Sequence, residues 1–357
     1  MNEGAATGAM PRFLRACQRL PVDRTPVWFM RQAGRYMAVY RTMREKHSLL
    51  EICRQPELAA EVTLQPVKAL GVDAAILFAD ILLPLIPMGA ELEFAPGHGP
   101  VIHNPVRSRK DVSRIPPVDV EGDLGYVLKA IRILRTELPP EVPLIGFAGG
   151  PFTVASYLIE GRATRTFERT KGMMYSAPNA WHALLGRLAH TLADYLVAQI
   201  EAGAQAVQLF DSWVGALSPA DYRAYVLPHS ATVLRRVQAL GVPTIHFATN
   251  TAALLSSMRE AGGTVMGVDW RIPLDVAWKE IGEGLAIQGN LDPLALFSPR
   301  EVLEAQVRRV LREAGDRPGH IFNLGHGILP ATPVENVQAV VEMVHAFSLK
   351  EPGKVVL

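Results

Sequence analysis

The sequence predicts one α/β domain folded as a (β/α)8 barrel, the TIM architecture, with a β-hairpin inserted after the second strand. Three observations carry that expectation. Short apolar, β-rich runs recur eight times with helical patterns between them, the alternation that builds a parallel sheet. The runs are nearly continuous in apolar residues, as strands covered on both faces must be. No glycine-rich dinucleotide fingerprint follows the first run, which weighs against a doubly wound sheet; GAATG (4–8) precedes any strand.

The elements follow in order. Residues 1–10, MNEGAATGAM, are small and are expected as a flexible tail ahead of a single barrel domain over 11–357. The eight runs are PVWFM (26–30), DAAILFA (73–79), VPLIGFA (142–148), QAVQLFD (205–211), VPTIHFA (242–248), TVMGVD (264–269), LAIQGN (285–290) and HIFNLGHG (320–327). Between Pro84 and Pro105, ELEF (91–94) and PVIH (100–103) flank a PGHG turn, which reads as the inserted hairpin. In 186–203, Leu188, Leu192, Leu196 and Ile200 recur every fourth residue and form one apolar helical stripe. Gly71, Gly203, Gly241, Gly262, Gly284 and Gly315 each fall between a helical pattern and a strand, where a left-handed C-cap suits glycine.

Composition narrows the function. The chain has 357 residues, 49% of them hydrophobic, and 36 basic against 35 acidic side chains give a formal charge of +1. That balance excludes disorder, and it excludes nucleic-acid binding through overall charge. Cys17 and Cys53 cannot build a disulfide framework, and without a CxxC neither a redox dithiol nor a thiolate zinc site is expected. Arg12, Arg15 and Arg19 interrupt any signal-like run, and Ile81–Ala90 is too short to span a bilayer. The expectation is a cytoplasmic chain with no membrane partner. Walker, HExxH and GxSxG motifs are all missing.

In a barrel of this kind, chemistry sits at the C-terminal ends of the strands. Those ends carry Arg31-Gln32-Ala33-Gly34-Arg35, Asp80, Gly149-Gly150-Pro151 followed by Tyr157, Asp211-Ser212, Thr249-Asn250, Asp269, Asn290 and His326. Arg31 and Arg35 either grip ligand carboxylates bidentately or cover acidic neighbours on the surface. Asp80, between two apolar stretches, is either a desolvated functional carboxylate or a helix cap. Asp211-Ser212 shares that ambiguity and leans towards a cap. Tyr157 fits helical packing as well as a site. His326, between two glycines, leans towards function. Arg162, Arg165, Arg169 and Lys171 make either a solvated basic face or a lid over an anion.

PVWFMRQAGRYM (26–37) closely resembles the signature near the N-terminus of the uroporphyrinogen decarboxylase family. The resemblance continues through FADILLPLIPMG (78–89), GGPFTVASYLIEG (149–161), LFDSWVGALSP (209–219), IQGNLDPLALFSP (287–299) and FNLGHGILP (322–330), and spans about residues 11 to 347. It implies a cofactor-free and metal-free barrel, generally a homodimer, that removes the acetate carboxyls of uroporphyrinogen to give coproporphyrinogen. By motif, Asp80, Arg31 and Arg35 are the implied catalytic residues. The implied substrate contacts are Arg31, Gln32, Ala33, Gly34, Arg35, Asp80, Tyr157, Ser212 and His326, with Arg44 a further match. Two alternatives accompany it. A zinc-dependent methyltransferase of a related barrel group would need a cysteine where His246-Phe247-Ala248 ends in alanine. A non-catalytic porphyrinogen-binding protein would be expected to lack Asp80 or the arginines.

Overall fold

Seven of the eight apolar runs assemble, in chain order, into one parallel sheet. The computed structural model describes residues 10–95, 99–282 and 284–350. Its strands are β1 (Ala75–Ile76), β2 (Leu92–Ala95), β3 (Gly99–Ile102), β4 (Leu144–Gly149), β5 (Ala206–Phe210), β6 (Thr244–Phe247), β7 (Val265–Gly267), β8 (Ala286–Gln288) and β9 (His320–Ile321). The parallel sheet runs β1-β4-β5-β6-β7-β8-β9, and β2 and β3 pair antiparallel as a separate ribbon between β1 and β4 in the chain. Every residue of the seven parallel strands is buried except half-buried Phe210. Helices supply the outer cover that makes such burial possible. Pro178–Glu201 is the longest, and Leu188, Leu192 and Leu196 on its stripe are fully buried.

The first run behaves differently from the other seven. Residues 26–30 form only one parallel bridge, Val27 to Phe322. Phe322 N–H donates to Pro26 O (2.8 Å) and Trp28 N–H to Phe322 O (3.3 Å) on one side, while Asp73 N–H donates to Val27 O (2.8 Å) on the other. The segment therefore lies between the two edges of the curled sheet. Its remaining donors are met by side chains: Val27 N–H by Asp73 Oδ2 (2.8 Å), Phe29 N–H by Gln32 Oε1 (3.1 Å) and Met30 N–H by Asn323 Oδ1 (3.2 Å). Side-chain acceptors replace the ladder, which is why a regular strand is absent there. Asp73 also receives Arg12 (2.6 Å) and lies 2.7 Å from His345 Nε2, so one buried carboxylate ties both ends of the domain to this edge.

Two expectations need adjustment. Gly71 caps the helix Pro56–Leu70 in the left-handed region (φ +69°, ψ +33°), but Gly284 does not turn this way; Gly282 (φ +77°) ends the helix Leu274–Ile281 instead. Gly262 (φ +121°, ψ −171°) and Gly315 (φ +62°, ψ −157°) turn in conformations open to glycine but outside the left-handed helical region. The tail expected over residues 1–10 lies outside the described residues except for exposed Met10, and so does most of the PGHG turn.

Candidate active site

The loops leaving the strands gather Arg31, Asp80, Tyr157 and His326 at one end of the sheet. Asp80 follows β1 after a short loop. Its Oδ1 accepts the Leu82 N–H (2.9 Å), the local turn that aspartate makes with the backbone two residues on. The side chain is half-buried. Burial lifts its carboxyl from 3.8 to about 6, against the opposing pull of the Leu82 N–H and the nearby Arg31 cation. Asp80 is therefore a carboxylate at neutral pH, held at the top of its range by its surroundings.

Arg31 is the electrostatic hub. Its backbone sits at φ +59°, in the left-handed region that non-glycine residues seldom occupy. Gly327 makes room for its stem: a β-carbon at 327 would fall 2.4 Å from Arg31 Cδ and 3.0 Å from Nε. The exposed guanidinium acts on three neighbours, lowering the proton affinity of Asp80, Tyr157 and His326. Burial and the Asp80 charge nevertheless push the Tyr157 hydroxyl up to about 12, which makes it a permanently protonated donor at neutral pH. The Tyr157 ring stacks on Trp213 at 4.0 Å and 28°. His326 is drawn below its ordinary value by burial first, then by Arg31 and Arg271, against the attraction of Asp269, so its imidazole is neutral at pH 7.

Arg35 and Arg44 lie on the same side. Both act on the buried Tyr40 hydroxyl, as does Asp80, and Arg35 is exposed. Ser212 follows β5, half-buried, with its carbonyl accepting from Thr249 Oγ1 (2.7 Å). The Gln32 side chain is fully buried and spent at both ends, Oε1 on Phe29 N–H and Nε2 donating to Ala74 O (3.1 Å), so it shapes the arginine loop. Ala33 and Gly34 are half-buried in the same turn.

Asp211 resolves as a cap, but not of the helix that follows it. It is fully buried and accepts from Thr153 Oγ1 (3.0 Å) and Thr153 N–H (3.4 Å), capping the helix Pro151–Glu160 that carries Tyr157. Thr153 Oγ1 then accepts the Trp213 N–H (3.1 Å), so one network sets both stacked rings. Burial lifts the Asp211 carboxyl to about 7, against its bonds to Thr153 and Ser230. In the basic stretch 161–172, Lys171 donates to Ala216 O (2.6 Å) and is tied to the body. Sequence reasoning missed Trp213 and Arg271. Each lies within four residues of a strand end, the one signal available.

Among the described residues, no group of three or more His, Cys, Asp or Glu is placed to hold a metal ion, and no helix is long and apolar enough to cross a membrane. His246 on β6 is buried, its imidazole pulled down to about 4 by that burial, and Ala248 stands two residues on.

Known proteins resemble the chain over nearly its whole length. The chain is 62% identical over 336 residues to the uroporphyrinogen decarboxylase of Sorangium cellulosum, covering 94% of this chain and 96% of that protein. It is 58% identical to that of Carboxydothermus hydrogenoformans with the same coverage. A methyltransferase from Methanosarcina mazei shares the fold at 23% identity, with a TM-score of 0.78 over 94% of this chain and 98% of that one. A B12-independent methionine synthase from a Shewanella species follows at 11% identity and a TM-score of 0.55, covering 82% of this chain and 88% of that one. The description of the uroporphyrinogen decarboxylase (URO-D) family fits residues 9–347, the span that carries every rim residue described above. The chain belongs to the uroporphyrinogen decarboxylase family.

Proposed function

We propose that the chain decarboxylates uroporphyrinogen in tetrapyrrole synthesis, taking the acetate carboxyls off as carbon dioxide and leaving coproporphyrinogen. The observation that supports this most is Asp80: one half-buried carboxylate, ionised at neutral pH, beside a guanidinium at the mouth of the sheet. A pyrrole acetate loses carbon dioxide once its ring is protonated. The C–C bond pair then moves into the cationic ring, the resulting methylene takes a proton to become methyl, and the proton first added to the ring leaves to restore the neutral pyrrole. The ring is its own electron sink, so the reaction calls for no metal or cofactor.

Asp80 accepts hydrogen bonds from pyrrole N–H groups and stabilises the positive charge that develops on protonation. Arg31 and Arg35 hold substrate carboxylates, with Arg44 behind them. Tyr157, Ser212 and neutral His326 orient peripheral carboxylates by hydrogen bonds. Gln32, Ala33 and Gly34 fix the turn from which both arginines project. Residues 26–28 serve as the eighth stave of the barrel, and the β2–β3 ribbon is its insertion. The working form is a homodimer in the cytoplasm.

The deciding experiment is anaerobic incubation of the purified protein with uroporphyrinogen, followed by separation of the products by carboxyl number. Coproporphyrinogen is the expected product. Unchanged substrate, with a folded protein, defeats the reading. The methyltransferase alternative lacks the cysteine that zinc would need at Ala248.

A further inference from the structure

Asp269, Trp270 and Arg271 leave the C-terminal end of β7 and reach the same rim as His326. Three neighbouring loops clamp this segment. Asn250 N–H donates to Asp269 Oδ2 (2.6 Å), and Asn290 Nδ2 donates to the carbonyls of Asp269 (2.9 Å) and Ile272 (2.7 Å). Gly325 packs so tightly that a β-carbon there would fall 2.5 Å from Trp270 N. Arg271 is then fixed on its own account. Its N–H donates to Asp269 Oδ1 (3.2 Å), its guanidinium is hydrogen-bonded to Asp269 Oδ2, and its Cζ lies 4.0 Å from the centre of the Trp270 ring.

What this scaffold presents is a cation. Asp269 is 2% exposed, whereas the Arg271 side chain remains 45% exposed. Guanidinium carries five N–H donors, and the contact with Asp269 leaves several of them free for an outside acceptor. Asp269 also has two backbone N–H partners, so neutralising it does not account for an arginine stacked and turned to solvent. The guanidinium is immobilised before any ligand arrives, which lowers the entropic cost of gripping one. Arg31 also acts on His326, so an anion resting on that imidazole is within the field of two cations.

We propose that Arg271 is a specificity-determining contact for a peripheral carboxylate of the substrate. The proposal rests on the decarboxylase reading above and adds a carboxylate grip on the β7 side of the mouth. The test is steady-state kinetics on uroporphyrinogen with Arg271→Gln and with the double variant Asp269→Asn/Arg271→Gln. The single variant should raise KM about tenfold while kcat moves less than about twofold, as for a charge-assisted hydrogen bond made equally to substrate and transition state. The double variant removes the buried charge that the single one leaves without its arginine, and so controls for any loss of fold. It should keep the raised KM. A KM restored by the double variant, or a KM within about twofold of wild type in the single, reduces Arg271 to a counterion for Asp269 and overturns the proposal. Wild-type protein run alongside separates the two failures: if it leaves uroporphyrinogen untouched, the decarboxylase reading falls and takes this one with it.

Discussion

Replacing Asp80 by asparagine should separate activity from stability. The carboxyl stands at about 6 in the fold against 3.8 for a free side chain. At about 1.36 kcal/mol per pH unit, keeping it ionised at neutral pH costs the folded state roughly 2–3 kcal/mol. The sign follows from proton binding. Between about pH 4 and pH 6 the folded chain holds this proton more tightly than the unfolded one, so the group's contribution to stability falls as pH rises through that window. Asparagine keeps an oxygen for the Leu82 N–H and carries no charge, so the variant should gain roughly 1 kcal/mol at pH 7, read from the urea midpoint. Turnover should move the other way. Losing one preorganised group that stabilises developing charge typically costs about 100-fold in kcat. Substrate binding should suffer less, because the amide oxygen still accepts from pyrrole N–H. Wild-type kcat/KM should also fall as pH drops through about 6, an acid limb that the variant lacks. An aspartate that only caps would show the gain in stability but neither the loss of turnover nor the lost acid limb, since asparagine caps equally well. A folded Asp80→Asn protein within about threefold of wild-type kcat, a gap under about 1 kcal/mol of barrier, would refute the catalytic role.

Arg31→Lys and Arg35→Lys retain charge but lose the planar fork, and each should lower kcat/KM by about tenfold or more with little change in thermal midpoint; near-normal kinetics in Arg35→Lys would return that residue to the surface. Because Arg31 sits at φ +59°, Arg31→Gly should be more stable than Arg31→Ala by about 1 kcal/mol although both lose activity, and equal urea midpoints would contradict the strained backbone. Asp211→Ala strands the Thr153 hydroxyl and N–H in a buried site and should cost about 2 kcal/mol or more in chemical denaturation, with Asp211→Asn recovering most of it. Exhaustive dialysis against a chelator should leave the rate unchanged; a loss that zinc reverses would sink the mechanism in which the ring alone accepts the electrons.

The parts of the fold that were legible are those whose cause is local. A strand covered on both faces must be apolar throughout, and seven such runs announce β1 and β4–β9 without any knowledge of their partners. The first run carried the same signal, yet it pairs through one bridge. What it lacked could not be seen nearby, because its donors are met by Asp73, Gln32 and Asn323, and only Gln32 is a close neighbour in the chain. The side-chain bonds of Gln32 were equally hidden: the motif that implies it as a contact says nothing of its bonds to Phe29 and Ala74.

The rim divides along the same line. That Asp80, Tyr157 and His326 share one rim was legible because strand ends of such barrels face one way, whatever the residue types. Asp211 was legible as a cap, but its target was not: Thr153, in the helix it caps, precedes it by 58 residues. That reach has a chemical consequence. The helix starting at Pro151 carries Tyr157, and Trp213, two residues beyond Asp211, donates to the same Thr153 oxygen while stacking on that tyrosine. A fully buried carboxylate therefore sets the angle of a ring near Arg31 and Asp80. Its burial is what makes the setting firm, since a hydrogen bond sealed from water cannot be exchanged for one to solvent.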